Sequence, residues 1–212
     1  MERKQGSRTV AGAPEEFGEV YEGHLGGCAL LGDGATYYPR MWEAMVTRYD
    51  VKSMIDVGCG AGYALDYFKD LGVKVLGVEG CQEALDNNLV SPEELVKHDY
   101  ENDGVYAPDQ EFDLCWSCEF VEHVTAAEMP NFIETFKSAK IVAITYAYPG
   151  QGGHHHVNEQ HEPYWLNVMH NAGFRYLAAD TAEMRAIAAL DSQKHSPFYE
   201  GHFVRRGLIF SR

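Results

Sequence analysis

The chain has 212 residues, 45% of them hydrophobic and 12% aromatic, enough to bury a substantial core, and 17 Lys+Arg against 32 Asp+Glu give a net charge of −15. That balance repels phosphate backbones and supplies no basic stripe, which counts against nucleic acid as a partner. There is no apolar run of bilayer-spanning length, and the opening "MERKQGSRTVAGAPEE" lacks the apolar stretch of a secretion signal, so a cytoplasmic protein with no membrane association is expected.

Five cysteines are an odd number and read as reduced thiols. Cys115 and Cys118 form a single C-x-x-C. Without a second ligand pair they are expected to be thiols on or beside a strand.

In chain order, residues 1–16 are polar and without periodicity and are expected to form a flexible tail, leaving 17–212 as a single domain. "PRMWEAMVTRY" opens with Pro39 and spaces Met41, Met45 and Tyr49 four apart, as a helix does. "KSMIDVGCG" reads as a strand ending in a glycine turn. "AGYALDYFKDLG" places Ala64, Tyr67, Phe68 and Leu71 at helical spacing, with Gly72 as the stop. "VKVLGVEG" completes a strand–helix–strand unit whose two strands must be parallel.

"ELVKHD" and "FDLCWS" are short strand candidates. In "TAAEMPNFIETFKSA", Thr125 and Glu128 have capping-box spacing ahead of an apolar face made by Met129, Phe132, Ile133 and Phe136. "KIVAITYAY" is a strong strand, "EPYWLNVMHNAGF" a helix stopped at Gly173, and "FRYLAAD" and "FVRRGLIFS" are the final strand candidates. The alternation predicts an α/β fold: a Rossmann-like, doubly wound, mostly parallel seven-stranded sheet with helices on both faces, holding its ligand at the strands' C-terminal ends.

The most informative stretch is "IDVGCGAGY". Gly58, Gly60 and Gly62 let the chain turn sharply after the strand and approach a ligand at the positive end of the next helix. The spacing is G-x-G-x-G, and Tyr63 stands where a dinucleotide fingerprint has its third glycine. Glu79 lies 21 residues beyond Gly58, the distance at which a carboxylate reaches ribose hydroxyls.

"MIDVGCGAGYALDYFKDLGVKVLGVEG" resembles the first motif and second strand of class I S-adenosylmethionine-dependent methyltransferases, and the resemblance covers roughly Pro39 to Arg212. It implies that Asp56, Gly58, Cys59, Gly60 and Gly62 line the donor's methionine moiety, Glu79 the ribose, and Asp99 and Tyr100 the adenine. Gly80 and Cys118 belong to the same cofactor-binding set. Tyr100 can equally pack under the sheet. Gly32, Tyr37, Tyr38 and Trp42 precede the first strand, where this fold often places a cover over the cofactor; an aromatic helix packed on the sheet edge is the competing expectation.

"SCEFVEHV" spaces Glu119, Glu122 and His123 at i, i+3, i+4, so on a helix all three project together. This E-x-x-E-H resembles the metal-binding run of small-RNA 2′-O-methyltransferases and the related stretch of ubiquinone-pathway O-methyltransferases. In the former a histidine beyond the fifth strand completes the site. Here "GQGGHHHVNEQHE" follows that strand, and the implied divalent-metal set is Glu119, Glu122, His123 and His155. Other superfamily members carry the run without metal, so metal-free catalysis and a merely solvated loop stand beside it.

The candidate catalytic residues are His123, His154, His155 and Glu119, with His156 also a possible base. Asn158 and Gln160 are candidate substrate donors, and His161 is expected to be a capping or surface residue. The expected function is methyl transfer from S-adenosylmethionine to an oxygen, ahead of a nitrogen, of a small-molecule or glycan-like acceptor. The alternatives are an NAD-dependent oxidoreductase, a non-catalytic donor-binding protein, and metal-dependent RNA-end 2′-O-methylation. The segment after "FDLCWS" reads "CEF", unlike the Pro-Pro loop of DNA amino-methylating enzymes of this fold.

Overall fold

The computed structural model describes residues 19–21, 23–25, 27–192 and 201–212. The tail expected over 1–16 lies outside the described residues. A short antiparallel pair, β1 (Glu19–Tyr21) with β2 (Gly27–Ala29), comes first. There follow α1 (Pro39–Tyr49), β3 (Ser53–Val57), α2 (Tyr63–Asp70), β4 (Lys74–Glu79), α3 (Gln82–Asp86) and β5 (Leu95–Lys97). The second half is β6 (Phe112–Ser117), α4 (Met129–Phe136), β7 (Ala139–Ile144), α5 (Glu162–Asn171), β8 (Arg175–Tyr176), α6 (Ala178–Ser192), α7 (His202–Arg206) and β9 (Leu208–Ser211).

The main sheet has seven strands in the order β5-β4-β3-β6-β7-β9-β8. The first five run parallel, and β9 inserts antiparallel between β7 and β8. The order reverses between β3 and β6, which opens a crevice at their C-terminal ends. Pairing of Ser117 with Ile144 ends β6 and β7 together, so residues 118–124 and 145–160 leave the sheet side by side.

Burial explains the layers. Phe132 and Phe136 of α4 and Trp165 and Met169 of α5 cover one face with Ile55, Val142 and Phe210. Met41, Trp42 and Met45 of α1 and Phe68 of α2 cover the other, each such side chain contributing about 1.5–3 kcal/mol when fully buried. Asp191 of α6 accepts from the backbone N–H groups of Arg40 (3.1 Å) and Met41 (3.4 Å), a negative charge at the positive end of α1.

Several expectations change. The Thr125–Glu128 capping box does not form: α4 starts at Met129, and Thr125 offers its carbonyl to the N–H of Glu128 and Met129 instead. "FRYLAAD" is a strand only at Arg175–Tyr176 and then enters α6, where Ala-rich sequence of high helix propensity prevails. "FVRRGLIFS" is helical through Arg206 and extended only after Gly207. All five cysteines are free, as expected of thiols beside the sheet. Among the described residues no helix is long and apolar enough to cross a membrane.

Candidate active site

The C-terminal ends of β3, β4 and β6 open into a cavity of about 430 Å³, within the range of small-ligand sites. Asp56, from β3, is 3% exposed. Burial, reinforced by the neighbouring charge of Glu79, pushes its carboxyl well above the usual range. No hydrogen bond reaches that carboxyl among the described residues, and Asp56 lines the cavity. A buried acid in this state is satisfied by a cationic N–H donor from a ligand.

The turn after β3 is built for close approach. Gly58, Gly60 and Gly62 all have positive φ (75°, 52°, 81°). A Cβ on Gly58 would lie 2.7 Å from the Phe120 ring, and one on Gly62 would collide with Asn88 Oδ1. Asn88 donates to the Gly60 carbonyl at 2.8 Å, a tie that the sequence pattern did not single out. Glu79 accepts the N–H of Gly60 (2.8 Å) with one oxygen and that of Cys81 (2.9 Å) with the other. Cys59, Gly80 and Cys118 line the same cavity.

Asp99 also lines it and is held by His24 (2.7 Å), Asn102 (2.7 Å) and the Glu101 N–H (3.0 Å). Burial raises its proton affinity, but those donors outweigh it and the pKa falls. Tyr100 lines the cavity and also takes the packing alternative. Its ring sits in the core with Phe120 and Phe132, and its hydroxyl bonds Thr135 Oγ1 at 2.8 Å, so it closes the cavity from beneath. Leu25, Cys28, Gly32, Tyr37 and the largely buried Trp42 line the cavity from the N-terminal side, the cover position; Tyr38 is buried with its ring against Phe203 of α7.

Glu119 does not project with Glu122 and His123. It has φ 53°, a left-handed conformation costly for a side chain with a Cβ, and only Val121–His123 form a 3-10 turn. Thr145 stabilises that conformation: its Oγ1 accepts the Glu119 N–H and donates to Glu119 Oε1, both at 2.7 Å. The other oxygen, Oε2, is 2.8 Å from His202 Nδ1 and 3.7 Å from Arg206. Burial works against the charge, yet the His202 bond and the Arg206 charge prevail and lower the Glu119 pKa. Sequence reading missed both: Arg206 lay in "FVRRGLIFS", read as a strand, and His202 lay just ahead of it.

The groups that converge are Glu122, His123 and His156, whose potential ligand atoms lie within 4.8 Å of one another. Glu122 is fully buried, neither of its oxygens has a hydrogen-bond partner among the described residues, and burial followed by the charge of Glu119 raises its pKa well above the usual range. His123 Nδ1 is likewise buried and has no hydrogen-bond partner among the described residues. Burial, then repulsion from His156, pushes its pKa down to about 4, which makes it a poor base but a ready neutral ligand. Glu119 and His155 therefore leave the expected metal set, and His156 enters it.

The histidine loop is pinned over this cluster. Val157 and Asn158 both donate backbone N–H to the Glu122 carbonyl at 3.0 Å. Glu159 accepts the N–H of Gly150 and Gly152, both at 2.7 Å, and sits 3.2 Å from His156 Nδ1. His154 lines the cavity and contacts the Gly23 carbonyl at 3.2 Å, whereas His155 turns its edge to His24. His155 is not among the cavity's lining residues, so its expected catalytic role loses its geometric basis. Asn158 is buried and pairs with Gln160 at 3.3 Å, leaving neither in the lining; His161 is exposed at the start of α5.

Residues 55–139 match the family model described as "Methyltransferase domain". Over 75 residues the chain is 36% identical to a ubiquinone biosynthesis O-methyltransferase of Rhodopseudomonas palustris (strain BisA53), covering 34% of this chain and 30% of that protein. The chain thus spans under a third of the length of this curated relative. The fold is similar to that of a TehB-like S-adenosylmethionine-dependent methyltransferase from Corynebacterium glutamicum (TM-score 0.55, 21% identity, covering 84% of this chain and 87% of that one). It is also similar to that of a magnesium protoporphyrin IX methyltransferase from Synechocystis PCC 6803 solved with bound S-adenosylmethionine (TM-score 0.53, 12% identity, covering 82% and 79%).

Proposed function

We propose that the chain is a class I S-adenosylmethionine-dependent methyltransferase that transfers a methyl group to an oxygen of a small-molecule acceptor, glycan-like hydroxyl compounds included; the match of residues 55–139 to the methyltransferase-domain model supports this reading. The observation that carries the donor half is Asp56, a buried carboxyl that no hydrogen bond reaches among the described residues, beside a glycine turn tied to Glu79. The residues fit the donor. Asp56 would receive its ammonium group, the turn its methionine backbone, Glu79 its ribose and Asp99 its adenine. When bound, the donor supplies a methyl group already activated by a sulfonium.

What the chain must add is alignment, exclusion of water and removal of the acceptor's proton. The Cys118–Glu119 end of β6 and the N-terminal cover enclose the reacting region. Carboxylates and histidines on the same wall favour a hydroxyl acceptor, whose proton must leave near the transition state, and the matched relative's name also carries O-methylation. The test is incubation with methyl-labelled donor and paired phenol and aniline panels. Label on oxygen supports the proposal; label on nitrogen alone refutes the oxygen assignment. Donor binding with no transfer across both panels supports a binding protein instead.

A metal-assisted form of this reaction is favoured by one observation, the orphaned Glu122 oxygens beside His123 and His156. This set suits a divalent ion such as Zn²⁺, with two imidazoles and a carboxylate. Bound there, the ion would lower the pKa of an acceptor hydroxyl. The net charge of −15 keeps an RNA-end acceptor in last place.

A further inference from the structure

We infer, resting on the assignment of Asp99 to the donor's adenine, that His24 is a positioning residue that makes the base end of the cavity selective for an amino-bearing purine. The two residues are 75 positions apart, so only the fold joins them. The β1–β2 hairpin, with Tyr21 paired to Gly27, carries His24 at its turn, where Gly23 takes a left-handed φ of 60°. Leu25 seats that turn just past the end of β4. A Cβ on Gly80 would lie 2.7 Å from Leu25 Cδ2, so this approach needs a residue without one. On the other side the Gly23 carbonyl is 3.2 Å from His154 Nε2. His24, Leu25, Gly80 and Asp99 line the cavity together.

An ionised carboxylate offers about four lone-pair positions and no donor. Three are taken at Asp99: Oδ1 accepts the Glu101 N–H (3.0 Å), and Oδ2 accepts His24 Nε2 and Asn102 Nδ2, each at 2.7 Å. A nitrogen lone pair would repel a carboxylate oxygen at that distance, so Nε2 donates whether the ring is neutral or an imidazolium. Its 3.0 Å contact with Asn102 Nδ2 sets two N–H donors side by side. Burial raises the proton affinity of Asp99, but its donors prevail and lower the pKa, so the group remains an acceptor.

Among the described residues, the position left open is on Oδ1. It suits an N–H donor such as the exocyclic amino group of adenine and repels the carbonyl oxygen that hypoxanthine carries in its place. His24 fixes which oxygen is occupied, and so which way the remaining lone pair points. The Asp99 side chain is 17% exposed, so water screens these bonds little. Without His24 the carboxylate is free to turn: the amino group loses a fixed partner, whereas the carbonyl oxygen loses nothing. A hairpin that served only as a cover would treat both bases alike.

The experiment is calorimetric titration of wild type, H24A, H24L, H24Q and D99N with S-adenosylhomocysteine and with S-inosylhomocysteine, which has a carbonyl where adenine has its amino group. H24L removes the donor but keeps bulk in the turn, and it replaces H24A should that variant not fold. The wild type should prefer S-adenosylhomocysteine by at least about tenfold, the worth of one charge-assisted hydrogen bond. In H24A and H24L the preference should fall at least about threefold, through weaker binding of S-adenosylhomocysteine alone. H24Q, whose amide N–H can reach the same oxygen, should restore it. An equal loss for both ligands in H24A and H24L, or a preference that these variants keep and D99N abolishes, overturns the role of His24 and leaves the assignment of Asp99 standing. A wild-type preference that survives D99N, or no preference in the wild type, overturns the assignment of Asp99 to adenine and this inference with it.

Discussion

Glu79 accepts the Gly60 N–H at 2.8 Å, so the carboxylate assigned to the donor's ribose also fixes the turn that the donor must approach. Its second oxygen holds Cys81 at 2.9 Å. Glu79→Ala removes two charge-assisted bonds, each worth about 1.5–3 kcal/mol. Affinity for S-adenosylhomocysteine should fall at least about tenfold, and the melting temperature of the unliganded protein should fall as well. A residue that met only the ribose would lose affinity and keep its stability.

Asp56 should show the opposite coupling. Its folded pKa is raised by burial and by Glu79, so its contribution to stability declines as pH rises above the unfolded carboxyl's range. Asp56→Asn removes that penalty. The unliganded protein should melt higher, by an increment that grows with pH, while donor affinity falls. Thermal melts across pH, paired with calorimetry, check both; a lower melting temperature at neutral pH would contradict the unsatisfied-carboxyl account.

His123 makes the acid limb steep. Its pKa drops from 6.5 unfolded to about 4 in the fold, so between those values the unfolded chain binds the proton and the native protein does not. The stabilising contribution is present above pH 6.5 and is lost as pH falls towards 4, a change on the order of 3 kcal/mol. In His123→Asn the decline in stability over that window should be shallower, as read by denaturant midpoints.

The corrected ligand set separates from the expected one by substitution. A Zn²⁺-induced rise in melting temperature should vanish in Glu122→Gln and His156→Ala and persist in Glu119→Gln and His155→Ala. Binding should also release protons, seen as a buffer-dependent heat, because burial raises the proton affinity of Glu122 in the metal-free fold. His155→Ala should leave methyl transfer within about twofold of wild type, as an ordinary surface change does.

The sheet was legible because apolar runs and glycine stops act locally: α1 runs from Pro39 to Tyr49 and β6 from Phe112 to Ser117, as their patterns indicate. The placement of Asp56, the glycines and Glu79 was legible for the same reason, since they sit at strand ends whose pairing follows from one crossover. The arrangement around Glu119 was not. Helical spacing suggested that Glu119 joins Glu122 and His123, but the left-handed turn at Glu119, supported by Thr145, breaks that periodicity. His156 rather than His155 faces the cluster because Glu159 and the glycine backbone fold the loop that way. His202 lay just ahead of the segment read as a strand and was not singled out, and the packing of Phe203 on Trp116 brings it to the cavity.

The central claim is that the cavity bounded by Asp56, Glu79 and Asp99 is a methyl-donor site. Calorimetric titration of wild type and Asp56→Asn with S-adenosylhomocysteine, and with NADH as the competing ligand, tests it most directly. The account predicts one-to-one binding of S-adenosylhomocysteine by the wild type, weakened at least about tenfold in Asp56→Asn, and no binding of NADH. Binding of NADH in preference, or S-adenosylhomocysteine binding unchanged by the substitution, would contradict it.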